Sequence, residues 1–206
     1  MSFQHSLAVG KAGESIIAKY LQSRGNHVLP VYEKEINDYK GPVLYRPDGQ
    51  QLICPDLLTF TKKGLAWIEA KHKSAFTWSM KYSAWNTGID LHHYQHYIQV
   101  QNDLKHIPVW IMFLHQAGTA KDTPEGKVSP TGLFMASIRH LRAKECHRHP
   151  NHGKHGMVYW QPSAFQQHVP LEDLMERSAI MEYDGGLSES ESITAAKIAY
   201  AEWISA

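Results

Sequence analysis

Cysteine is nearly absent from the 206 residues: only Cys54 and Cys146 occur, far apart, and no disulfide framework can be built from them. That scarcity suits a reducing compartment. Long apolar runs are missing too. Nothing approaches the roughly 18 to 20 residues of a membrane span, and the opening MSFQHSLAVGKAG lacks the charged-then-apolar order of a signal peptide, so the expected location is the cytoplasm, with no membrane partner. Repeats and low-complexity linkers are also lacking. What is present, 43% hydrophobic and 20% charged residues, fits a globular domain with a sizeable core.

Net charge is small at +1 but unevenly spread. From Pro170 onward eight acidic residues face only Arg177 and Lys197, a local −6 that leaves +7 on residues 1–169. The expected organisation is therefore one domain over 1–169, suited to a polyanionic partner, and an acidic helical extension over 170–206 that packs on it or forms a dimer contact.

Periodicity supplies the elements. Ile16, Ile17, Tyr20 and Leu21 share a helix face and Gly25 stops it, predicting a helix over about 12–24 with Glu14 on the inward side. HVLPVYE reads as a strand and DYKGPVLYRPDGQ as a loop. Leu52 to Phe60 and Leu65 to Lys71 read as strands joined at Thr61-Lys62-Lys63-Gly64, a β-hairpin, with Pro55 marking a bulge or edge beside Asp56. Asp90 is the expected N-cap of a helix carrying Leu91, Tyr94, Tyr97, Ile98 and Leu104, which ends at Pro108. VWIMFLH is a buried strand, GLFMASI and GMVYW are further strands, and LEDLMERSAIMEY and SESITAAKIAYAEWISA are helices. The order helix, three strands, helix, strand defines a mixed α/β core.

Within that order, charge stands where strands seldom carry it. Side chains alternate along a strand, so Glu69 and Lys71 share a face. Acids buried together are tolerated when a cation compensates, and hard oxygen donors suit Mg²⁺ or Mn²⁺. Glu14, Asp56 and Glu69 are the candidate ligands, and Lys71 the positive point charge beside them. Other acid-x-Lys triplets, such as Asp38-Tyr-Lys40 and Glu125-Gly-Lys127, fall in loops.

These residues resemble the PD-(D/E)XK nucleases, whose signature is matched by Pro55-Asp56 and Glu69-Ala70-Lys71, with the helical acid in Gly13-Glu14 and the element order through about residue 115. Holliday-junction resolvases and several phage and restriction nucleases share that helical acid. The resemblance implies a restriction-endonuclease-like core, an endonuclease acting on duplex or branched DNA, one or two divalent ions held by Glu14, Asp56 and Glu69, and Lys71 positioning the attacking water. It implies a homodimer, as junction resolvases form, and a polar residue from the second helix in the cleft, with His93 and Gln95 as candidates. A DNA-binding protein of the same fold without activity is the alternative.

Two further stretches stand out. CHRHPNHGKH, residues 146–155, offers zinc donors in Cys146, His147, His149, His152 and His155, yet matches no common zinc module. A zinc-stabilised interaction module stays open on that stretch, which reads better as a basic loop with Arg148 and Lys154 as phosphate contacts. In 71–88, Lys73 and Lys81 alternate with Phe76, Trp78, Tyr82 and Trp85, a pattern fit for stacking on unpaired bases or for ordinary core packing.

Overall fold

The computed structural model describes residues 3–31, 42–120 and 122–182, with side chains from residue 13 to 176 of these. Helix α1, Phe3–Ser23, starts well before the expected boundary. Then come β1, His27–Pro30, and a small hairpin of β2, Val43–Tyr45, and β3, Gln51–Ile53. Sequence reading takes this stretch for loop. In fact Arg46 N donates to Gln50 O at 2.9 Å and Gly49 adopts φ +81°, so the Pro-Asp-Gly signals mark a turn whose flanks pair.

The expected single strand from Leu52 to Phe60 is two. Pro55 has no N–H for a ladder, so β3 ends at Ile53 and pairs with β2, whereas β4, Leu57–Thr61, pairs with β1 and with β5, Gly64–Lys73. The β4–β5 hairpin has the expected turn. A third hairpin follows, β6, Thr77–Ser79, and β7, Ala84–Asp90, leading directly into α2, Leu91–Asp103. Asp90 caps α2 as the sequence predicts, accepting from His92 N at 2.8 Å and His93 N at 3.3 Å. The chain continues through β8, Val109–His115, β9, Gly132–Ser137, and α3, Ile138–Ala143. It closes with β10, His147–His149, β11, Met157–Trp160, β12, Gln167–Val169, and α4, Leu171–Glu182. The helix expected at SESITAAKIAYAEWISA lies outside the described residues.

A six-stranded sheet, β1-β4-β5-β8-β9-β12, forms the centre, with β5 and β8 parallel and its other pairs antiparallel. Ile68 and Ala70 face α1, where Ile17 and Leu21 cover them and Leu174 of α4 joins. Trp67, Ile111 and Phe113 face the other way, onto Tyr94, Tyr97 and Val100 of α2. Because β8 buries both faces, its first six residues read as an unbroken apolar run, closed by the buried His115. A second sheet, β10-β11-β7-β6, extends from the α2 side. Among the described residues no helix is long and apolar enough to cross a membrane.

Candidate active site

Leu57 pairs with Ile68 across β4 and β5, so the next step of the register sets Asp56 opposite Glu69 on the face toward α2. The backbone fixes the acid: Ala70 N donates to Asp56 Oδ2 at 3.0 Å, and Asp56 O accepts from Val31 N at 2.9 Å. Glu69 is fully buried. Neither of its oxygens has a hydrogen bond of standard geometry; the Lys71 ammonium reaches Oε1 in direct ionic contact, and the Tyr97 hydroxyl lies close.

Burial pushes the Glu69 carboxyl above the usual carboxylate range; Lys71 opposes this, Asp56 adds to it, and Tyr97 helps Lys71. For Lys71 the balance reverses. Burial works against its charge, but Glu69 and Asp56, with a smaller share from Glu14, outweigh it and hold the ammonium above the ordinary lysine value. Beneath them the buried Cys54 thiol is pushed up to about 12, mainly by burial, with Asp56 and Glu69 adding a smaller push.

Glu14 comes from the other side of the sheet. Alpha-helix α1 meets β5 where Gly13 lies against His72, so closely that a Cβ on Gly13 would stand 2.4 Å from His72 Cβ. The half-buried Glu14 therefore stands within the field of Lys71. Among the described residues, however, no three His, Cys, Asp or Glu side chains group to hold an ion, whether around Glu14, Asp56 and Glu69 or in the stretch from Cys146 to His155.

Of the two helix candidates, His93 faces the site: burial, then Lys71, lowers its proton affinity, although Asp90 pulls the other way. Gln95 is exposed on another face. Tyr97, one helical turn beyond His93, is a site neighbour that sequence reading takes for core; its only signal is a tyrosine at a buried position facing a strand acid. Lys73 follows on β5, its charge disfavoured by burial and by Lys71. Lys81 and Lys154 are exposed on the second sheet's turns, and Arg148 is in a bidentate pair with Glu145 at 2.9 and 3.0 Å. A cavity of about 560 Å³ lies on the opposite, α1 face of the sheet, rimmed by Arg24 and Lys62, apart from these groups.

No family model matches the chain, and no curated protein matches it. Among solved structures, a Holliday junction resolvase, Hjc, of the archaeal hyperthermophile Archaeoglobus fulgidus is similar at a TM-score of 0.44 and 9% identity, over 78% of this chain and 95% of that one. A likeness this slight decides neither fold nor activity.

Proposed function

We propose that the chain is a divalent-metal-dependent deoxyribonuclease that hydrolyses phosphodiester bonds, acting as an endonuclease on duplex or branched DNA. The observation that carries this reading is the buried Glu69 carboxylate, without a standard hydrogen bond, set beside a second acid and in contact with Lys71. A surface ion pair is worth at most about 1 kcal/mol and needs neither the burial nor the second acid. Asp56 and Glu69 fit Mg²⁺ or Mn²⁺, ions that take one or two carboxylates and fill the remaining positions with water and phosphate oxygens. Glu14 would act from the edge of the site.

When bound, such an ion lowers the pKa of water and offsets phosphate charge. The chain's own groups do the rest. Lys71 keeps its proton, so it donates to a phosphate oxygen or orients the attacking water instead of accepting a proton. Burial and the nearby Lys71 charge favour the neutral imidazole of His93, the form that can accept a proton from the attacking water. The test is a panel of supercoiled plasmid, linear duplex, single strand, flap and four-way junction, with Mg²⁺, Mn²⁺ or EDTA. Lys71→Ala and Asp56→Ala are each expected to abolish cutting with circular dichroism unchanged, and Asp56→Ala to lose Mn²⁺ binding by calorimetry. Cleavage that persists in either variant puts the centre elsewhere. The lack of a three-ligand group among the described residues favours a second reading, a DNA-binding protein of this fold that cuts nothing; it is distinguished by salt-sensitive binding without cleavage.

A further inference from the structure

The β6–β7 hairpin takes no part in the chemistry above, yet it is built to be stiff. Trp78 and Trp85 stand opposite each other across it, edge to face at 5.1 Å, an arrangement that stabilises a cross-strand pair beyond its burial. Lys127 Nζ lies 4.1 Å from the Trp78 ring centroid on the outside. At the tip, Ser83 takes φ +46°, the one positive value outside glycine among the described residues. That tip carries Met80, 80% exposed and the most open large apolar side chain described, followed by exposed Lys81 and by Tyr82.

Tyr82 is backed by other rings. It lies on His147 at 4.6 Å and His147 stacks on Tyr159 at 4.7 Å and 9°, while His152 contacts the Tyr159 hydroxyl at the ring's rim. Gly88 makes room for the column: a Cβ there would come within 2.8 Å of Tyr159 Cδ1. Lys81 Nζ stands 5.3 Å from the Tyr82 centroid. The neighbouring stretch from Arg139 to Lys154 holds five Lys and Arg against Glu145 alone, so the surroundings suit a polyanion.

An open thioether, a ring held in a column and an ammonium together match one chemistry, a nucleobase out of its pair with its phosphate alongside. Base–aromatic stacking is sequence-tolerant, and apolar wedges part base steps. An intact duplex offers no such free face along its length. We propose that the Met80-Lys81-Tyr82 tip receives unpaired bases of DNA at a flap, frayed end or open junction. This rests on the nuclease reading for its substrate and narrows that substrate to DNA with a single-stranded element.

The test measures binding in EDTA, where nothing can be cut, by fluorescence anisotropy on a blunt duplex and on the same duplex with an unpaired flap. A 2-aminopurine at the flap base reports stacking. Wild type is expected to bind the flap about tenfold more tightly and to quench the 2-aminopurine. In Met80→Ser/Tyr82→Ser the affinity ratio is expected to fall to near one and quenching to be lost, with an unchanged melting temperature as the check on folding. If the double variant keeps the ratio and the quenching while wild type binds DNA, the tip is not the receptor, and the nuclease reading stands. If wild type binds neither DNA, both fail together.

Discussion

Glu69 is an acid whose surroundings favour its proton, and a divalent ion can bind it only after that proton leaves. Since its titration lies above the usual range, the apparent Mn²⁺ affinity is expected to rise with pH well past the point where an exposed carboxylate would have levelled off; calorimetry across pH 5–8 checks this. His93→Ala is expected to lower kcat on the order of 10²-fold and, at saturating Mn²⁺, to remove the part of the acid limb of the pH–rate profile that does not come from Glu69, read from initial rates. His115, fully buried and stacked 3.8 Å from Phe76, is a separate case. Burial, helped by Lys73, lowers its pKa from 6.5 to about 3, so between those values the unfolded chain takes up a proton that the folded chain refuses. Its contribution is present above pH 6.5 and lost as pH falls toward 3, on the order of 4 kcal/mol over the window. His115→Phe is expected to shrink the gap between urea midpoints at pH 4 and pH 7. That Asp56, Glu69 and Lys71 stand together is legible in the sequence, because alternation and a four-residue turn fix which strand side chains share a face. His93 was not separable from Gln95, because choosing between two polar residues needs the buried face of α2, which packing decides. Nor does sequence show that Arg148, offered as a phosphate contact, is held by Glu145.

At the scale of elements, α1 reaches β5 through Gly13. Gly13→Ala places a methyl group against His72 Cβ and is expected to cost about 1–3 kcal/mol, seen as a fall of several degrees in Tm. Strong periods were readable: the β4–β5 hairpin, α2 with its Asp90 cap, and β8. Most of the missed elements are short. Strands β2, β6, β10 and β12 have three residues each and α3 has six, too few for a period of 2 or 3.6 to rise above composition. Strand β7 has seven, but Ala84-Trp85-Asn86-Thr87-Gly88-Ile89-Asp90 does not alternate apolar with polar residues. At Pro55 the apolar run from Leu52 to Phe60 continues through a change of sheet, because hydrophobicity records burial and the missing N–H records pairing. Helix α1 begins earlier than its apolar stripe suggests.

Across the whole molecule, the central sheet separates the α1 and α4 layer from the layer holding α2, α3 and the second sheet. The pairing of β7 with β11 joins segments about 70 residues apart, a distance over which local sequence patterns carry no information. Charge does remain legible at this scale. Residues 183–206 carry Asp184, Glu189, Glu191 and Glu202 against Lys197, so ending the chain after Glu182 takes the formal net charge from +1 to +4. The shortened chain is expected to bind DNA more tightly at low salt, with the difference shrinking as salt rises, as anisotropy titrations would read. The parallel partnership of β5 with β8 has its own outcome for biosynthesis. Until residue 115 has left the ribosome, the strand bearing the acid and the ammonium has one bare border, so nascent chains stalled where residue 73 has emerged but residue 115 has not should be the most prone to clump or to recruit chaperones.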